Sequence, residues 1–297
     1  MAASAAMLDL PRNPDGAAWP LHEHSRRVCA GGLQWHLQEL GAGPECLLVH
    51  GAGSSLHSWH RLLPLLAKRW RVLALDLPGH GFTQGRPERG MSLQGMTQAV
   101  GALLRELQVQ PSVAVGHSAG AAVVTSLALD RLCAPRALFS LNGALVPFDR
   151  RYDLLFAPLA RVFAALPLVP ELLSWHARDR SAVERLIAST GSQLEPAEID
   201  FYWRLMRNPR HVAGVLQMMS EWSVQGLVRR LPQLATPLIQ LVGSRDATVP
   251  PSAAEQVREL LPSARTVMLQ GLGHLAHEER PDRVAKALFD ECDRLGI

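Results

Sequence analysis

Val113-Ala114-Val115 runs into Gly116-His117-Ser118-Ala119-Gly120, and a small-residue stretch of helical character, Ala121 to Leu129, follows. The expected order is an apolar strand, a sharp turn and a helix. A serine at such a corner takes a strained backbone conformation, and the flanking glycines let neighbouring chain pass where a Cβ would collide. Taken alone, the pentapeptide reads equally well as an ordinary turn with a capping serine. The chain on either side has to separate the two.

Upstream, Cys46 to Val49 reads as a buried strand that delivers His50-Gly51-Ala52-Gly53 to the carboxyl edge of a sheet. Loops at that edge carry function in open α/β sheets, and this one could aim a backbone N–H at a developing oxyanion. Ser25 to Ala30 and Leu33 to Leu40 flank Gly31-Gly32 as an edge hairpin. A helix is expected from about Ser58 to Lys68. Val72 to Leu75 is the next strand and ends in Asp76-Leu77-Pro78-Gly79-His80-Gly81. Asp76, directly ahead of a rigid turn, suits bonding of local N–H groups better than acid catalysis. Ser92 is placed to cap a helix with Leu93, Met96, Val100, Leu103 and Leu107 on one face.

Downstream, Ala137 to Leu141 is a further strand, after which the rhythm breaks. From 147 to 231 the pattern is helical: Arg151 to Ala165, Ser181 to Ser189, Pro196 to Met206 and Pro209 to Trp222, with both prolines at first-turn positions. Tyr152, Phe156, Phe163, Trp175, Phe201 to Trp203 and Trp222, with Met206, Met218 and Met219, concentrate here in a chain of 5% aromatics. They suit the core of this segment and the lining of a pocket for a large flat apolar ligand. Alternation resumes with Leu238 to Val242, which ends at Asp246. Ser252 to Glu255 has the capping-box pattern. Thr266 to Leu269 ends at Gly271-Leu272-Gly273-His274, and Pro281 opens a last helix. The expected division is a loose tail over 1–20, an α/β core over 21–146 and 232–297, and an inserted helical cap over 147–231.

The 297 residues, 47% hydrophobic and 19% charged, describe a globular chain, and a net charge of +3 gives no reason to expect nucleic acid. Cys29, Cys46, Cys133 and Cys292 make no C-x-x-C, so neither a zinc site nor a disulfide framework is indicated and a reducing cytoplasm is the expected compartment. His22 and His24 lack further ligands at suitable spacing, so no metal or cofactor is expected. No secretory signal or transmembrane segment is legible. The most apolar stretch, Pro158 to Leu173, is broken by Arg161, Pro167, Pro170 and Glu171, and leaves an amphipathic face that a membrane or partner could touch.

Ser118, Asp246 and His274 each follow an apolar strand, in the order Ser, Asp, His. With the His50-Gly51 loop and the Asp76 loop, this pattern resembles the α/β hydrolases over nearly the whole chain. The resemblance implies a mostly parallel, doubly wound sheet with a triad at its carboxyl edge. A neutral serine is a poor nucleophile, so His274 would take its proton and pass it to the leaving group, while Asp246 orients the imidazole. The backbone N–H of Ala119 and, by resemblance, that of Ala52 would receive the oxyanion. A serine in this place argues against the aspartyl-ester chemistry of epoxide hydrolases and haloalkane dehalogenases. His117 and His277 suit framing the histidine loop, and Asp149 is an alternative acid.

Gly116 to Ala122, Leu141 to Phe148, Val183 to Gly191, His211 to Gly214 with Met218-Met219, and Gly271 to Arg280 further resemble the magnesium-chelatase accessory proteins of bacteriochlorophyll biosynthesis. That resemblance implies a cytoplasmic protein associated with magnesium insertion into protoporphyrin IX, with chelatase subunits as partners. Two readings follow. One is a serine hydrolase acting on an ester of a tetrapyrrole or another apolar small molecule. The other is a non-catalytic protein that binds porphyrin or the chelatase, with Arg150, Arg151, Arg178 and Arg204 available to propionates.

Overall fold

The computed structural model describes residues 19–147, 166 and 168–297. The eight strands are β1 (Ser25–Ala30), β2 (Leu33–Leu40), β3 (Glu45–Val49), β4 (Arg71–Leu75), β5 (Val113–His117), β6 (Ala137–Leu141), β7 (Leu238–Gly243) and β8 (Arg265–Leu269). They form one sheet in the order β1-β2-β4-β3-β5-β6-β7-β8. Only β2 opposes the common direction, because its hairpin with β1 turns through Gly31 and Gly32, both at positive φ. From β4 to β8 every pairing is parallel. This is the mostly parallel sheet of an α/β hydrolase.

The helices are α1 (Leu63–Leu66), α2 (Leu93–Leu107), α3 (Ala119–Leu129), α4 (Val169–His176), α5 (Arg180–Ser189), α6 (Pro196–Met206), α7 (Pro209–Glu221), α8 (Gln225–Arg230), α9 (Ser252–Leu260), α10 (Ala276–Glu279) and α11 (Pro281–Leu295). One apolar cluster joins α2, α3 and α8 to one sheet face, and a second joins α1 and α11 to the other. Burial on both faces explains why the central strands read as mainly apolar runs, interrupted by Ser140 in β6 and Gln240 in β7. Between β6 and β7 the described residues contain helices and no strand. The helix expected over 151–165 and the alternative acid Asp149 lie outside the described residues.

The single helix expected over 58–68 is instead a 3-10 turn, Leu56–Trp59, followed by the short α1. Pro64 explains the break, since it has no N–H and its ring would meet the carbonyl of His60 in a continuous helix. Ser252 does not cap α9 either: the N-cap is Pro251, and no side-chain cap bond forms. Ser92 does cap α2, accepting the N–H of Gly95. Trp19, grouped with the tail on sequence grounds, is buried and packs edge-on against His57, Phe82 and Phe201. All four cysteines are free, and Cys29 alone is exposed.

Candidate active site

Ser118 stands between β5 and α3 with φ 51° and ψ −118°, a conformation that costs a non-glycine residue on the order of 1–3 kcal/mol. Its neighbours hold it there. Its N–H donates to the Leu141 carbonyl at 3.1 Å, and its own carbonyl accepts from Ala121 and Ala144 at 3.1 and 3.0 Å. A Cβ on Gly116 would come within 2.4 Å of the Ala121 backbone, and one on Gly120 within 2.1 Å of the Val49 carbonyl oxygen. Both glycines are therefore required by close approach.

Asp246 follows β7 and His274 follows β8, both buried. His274 Nδ1 donates to Asp246 Oδ2 at 2.8 Å, while Asp246 Oδ1 accepts the N–H groups of Thr248 and Val249, each at 2.8 Å. A carboxylate only accepts, so the hydrogen belongs on Nδ1 and Nε2 is left as the basic nitrogen. Ser118 and His274 line one cavity of about 280 Å³, as do Ala52 and Ala119. Ala119 opens α3, so its N–H has no partner inside the helix and is available to an anion.

Three further groups position the loops of Asp246, His274 and Gly53, and sequence reasoning missed these roles. Asn142, at the end of β6, donates Nδ2–H to the carbonyls of Gly273 and His274 at 2.9 and 2.8 Å and accepts the Gly243 N–H at 2.7 Å. Asn142 takes a φ of 45°, a region that asparagine tolerates, and the Asn142-Gly143 pair marks only that the strand ends here, not what the side chain bonds. The Thr190 carbonyl, after α5, accepts the N–H groups of Ala247 and His274 at 3.2 and 3.3 Å, and Ser192 Oγ accepts that of Leu275 at 2.8 Å. His211 on α7 accepts the Gly81 N–H at Nδ1 and donates Nε2–H to the Gly53 carbonyl, at 3.2 and 3.3 Å. Gly214, one turn further, lies so close to Gly79 that a Cβ would sit 2.0 Å from the Gly79 oxygen. No local pattern announces these contacts, because each joins segments more than 50 residues apart.

The remaining candidates fall into place by their partners. His117 Nε2 donates to the His274 carbonyl at 2.9 Å, and its ring meets those of His274 and His277 at tilted angles of 53° and 50°. His277 is fully buried against Trp59 and does not line the cavity. Asp76 accepts from the N–H groups of Leu56 and Phe82 and from His36 Nδ1 at 2.7–2.8 Å, a scaffold role. Burial pushes His117 well below the usual histidine range, His211 to about 4 and His277 to about 3. These rings are neutral at physiological pH.

The cavity that Ser118 and His274 line is also lined by Leu186, Ile187, Met206, Met218, Met219 and Trp222, and no Lys or Arg lines it among the described residues. Arg178 and Arg204 lie elsewhere, the latter with its guanidinium over the Phe201 ring. Among the described residues no group of three or more His, Cys, Asp or Glu could hold a metal ion, and no helix is long and apolar enough to cross a membrane.

Comparison with known proteins extends this picture. Over 276 residues, 92% of this chain and 96% of the relative, the sequence is 34% identical to the magnesium-chelatase 30 kDa subunit of Rhodobacter capsulatus. It is 26% identical to YugF, an uncharacterized hydrolase of Bacillus subtilis, over 82% of this chain and 87% of that protein. Among solved structures, an alpha/beta hydrolase fold protein from Burkholderia ambifaria superposes with a TM-score of 0.76 over 96% of this chain and 99% of that one, at 23% identity, a likeness of fold. The sequence model of the alpha/beta hydrolase family matches residues 46–287. With the sheet and its serine turn as described, the chain belongs to the alpha/beta hydrolase family.

Proposed function

We propose that this protein is a serine hydrolase of the carboxylic-ester type, with Ser118 as nucleophile, His274 as general base and then acid, and Asp246 holding the imidazole. The observation that carries this reading is the 2.8 Å bond from His274 to Asp246 on the wall of a cavity that Ser118 also lines. Attack by Ser118 would form a tetrahedral intermediate whose oxyanion is received by the N–H groups of Ala119 and Ala52. The proton on His274 Nε2 would pass to the departing alcohol, and water would then release the acyl group by the same route.

The apolar wall supports an uncharged substrate. At about 280 Å³ the cavity falls just below the roughly 300–1,000 Å³ of small-molecule pockets, so a ligand as large as a tetrapyrrole would insert an ester-bearing arm and leave its ring outside. The relative named as a magnesium-chelatase subunit supports a role beside magnesium chelation in bacteriochlorophyll biosynthesis, in the cytoplasm. It equally favours a second reading, a non-catalytic accessory that binds porphyrin or the chelatase.

Two measurements separate them. A fluorophosphonate should label the wild type at Ser118 and leave Ser118→Ala unlabelled. A producing strain carrying only Ser118→Ala should lose bacteriochlorophyll formation; full pigment would defeat a hydrolytic role and leave the accessory reading. Spectral titration with protoporphyrin IX tests that reading, which requires saturable binding that survives Ser118→Ala.

A further inference from the structure

The loop after β3 carries two glycines beside the nucleophile. A Cβ on Gly51 would come within 2.8 Å of the Ser118 Cβ, so close approach requires the first, and Gly53 sits at φ 76°. Glycine lets the loop pass, yet it leaves the direction of the peptide planes undetermined. That direction matters here. The Ala52 N–H shares a trans peptide with the Gly51 carbonyl, so the two point opposite ways and whatever fixes the oxygen aims the hydrogen. Ala52 lines the cavity, and its N–H has no hydrogen-bond partner among the described residues.

Two donors hold the Gly51 oxygen. His50 Nδ1–H donates to it at 2.8 Å, its ring fixed by the Leu77 N–H, which donates to Nε2 at 2.9 Å. The Ser54 N–H donates to the same oxygen at 3.3 Å. Ser54 N–H in turn shares a peptide with the Gly53 carbonyl, and that oxygen accepts His211 Nε2–H at 3.3 Å. Because His211 Nδ1 accepts the Gly81 N–H at 3.2 Å, the single hydrogen of the neutral ring belongs on Nε2. The chain of bonds therefore runs from His211 through the Gly53-Ser54 peptide to the Gly51-Ala52 peptide. His211 is 2% exposed and belongs to α7, in the cap. The close contact of Gly214 with Gly79 seats that helix on the core, and from α6 Tyr202, whose hydroxyl donates to Glu278 Oε1 at 2.6 Å, lies 3.2 Å from Ser54 Oγ.

We propose that His211 is a positioning residue of the oxyanion hole, through which the seat of the cap on the core sets the direction in which Ala52 presents its N–H. His211 does not line the cavity and touches no reacting atom. Without it the Gly53-Ser54 peptide is free to rotate, the Gly51 oxygen loses its second donor, and the Ala52 N–H is aimed by His50 alone. The cap then contributes to the chemistry as well as to the shape of the cavity. This inference rests on the reading that Ser118 attacks an ester whose oxyanion Ala52 receives.

The test compares p-nitrophenyl butyrate with its thionoester, in which sulfur replaces the carbonyl oxygen. Sulfur is larger and a weaker acceptor, so an aimed N–H favours the oxygen ester, and kcat/KM reports the attack step. His211→Phe keeps a buried ring and removes both hydrogen bonds. Its kcat/KM on the oxygen ester should fall about tenfold, a part of the roughly hundredfold to thousandfold that outright loss of an oxyanion donor costs. The oxygen-to-sulfur ratio of kcat/KM should fall by a similar factor. His211→Gln, whose Nε2 can again donate to Gly53, should restore most of that ratio. His277→Phe removes another buried ring, one with no hydrogen-bond partner among the described residues, and should leave the ratio at its wild-type value. Each ratio is taken on one variant, so a loss of folded protein does not mimic it. An unchanged ratio in His211→Phe, or no recovery in His211→Gln, would overturn the inference. Wild-type protein that turns over neither ester and that fluorophosphonate does not label would instead defeat the hydrolase reading beneath it.

Discussion

Asn142 donates its Nδ2–H to the main-chain oxygen of His274 at 2.8 Å, and through Oδ1 it accepts the Gly243 N–H at 2.7 Å. One side chain at the end of β6 thus ties the loop that carries Asp246 to the loop that carries His274. Replacing Nδ2 by oxygen would set an acceptor against two carbonyls. Asn142→Asp should therefore lower kcat on a p-nitrophenyl ester by about a hundredfold and destabilise the fold by about 1–3 kcal/mol. Unchanged kcat alongside a lowered Tm would show that the tie serves stability only.

Asp246 fixes which nitrogen of His274 carries hydrogen. In Asp246→Asn the carboxamide can present its own N–H to Nδ1, moving the imidazole hydrogen to Nε2, where it could not take the Ser118 proton as the proposed mechanism requires. The expected loss in kcat is about 10⁴-fold with little change in Tm, the size of effect known for this change in a serine-protease triad. Steady-state kinetics beside a thermal melt checks both halves.

Gly214 lets α7 lie directly on the backbone of Gly79, and the new methyl of Gly214→Ala would meet the Gly79 oxygen at 2.0 Å. The helix must lift, carrying His211 away from Gly53 and Gly81. A loss of about 1–3 kcal/mol is expected from overpacking, partly offset by the better helix propensity of alanine. Because Gly53 neighbours Ala52, kcat/KM should fall as well. A stable variant of wild-type activity would show that the contact yields without cost.

Acid should destabilise the fold before carboxylate titration begins. Burial holds His50, His57, His80, His117, His211 and His277 below the ordinary histidine value of about 6.5. Between the folded and unfolded values the unfolded chain binds more protons, so this stability is fully present above about pH 6.5 and is lost as pH falls toward 4. Each such ring steepens the slope by up to about 1.4 kcal/mol per pH unit. Glu278 works in the opposite sense, its raised value costing stability as pH rises above about 4.5, but one acid opposes six histidines. Tm should therefore fall steadily from pH 7 to pH 5. His277→Phe should flatten that fall, since neither ring nitrogen has a hydrogen-bond partner among the described residues and the ring packs on Trp59. A pH-independent Tm over this range would contradict the burial argument.

The parallel sheet was legible because its signal is local. Runs such as Val113 to Val115 and, Gln240 apart, Leu238 to Val242 are apolar because both faces are covered, and each ends in the loop that bears Ser118 or Asp246. Where the local signal misled, a competing local rule had prevailed: Pro64 broke the helix expected over 58–68, and Pro251 took the cap position from Ser252.

Sequence alone determined that Ser118, Asp246 and His274 follow strands in that order, the glycines around Ser118 and the helical character of the described residues between β6 and β7. Tertiary structure alone decided that Asn142, Thr190 and His211 hold the loops of Asp246, His274 and Gly53, and that Tyr202 meets Glu278. The physical reason is range. Periodicity and turn chemistry act within a few residues, whereas a buried polar atom takes whichever partner the packed chain brings to it, and here those partners stand 57 to 158 positions away.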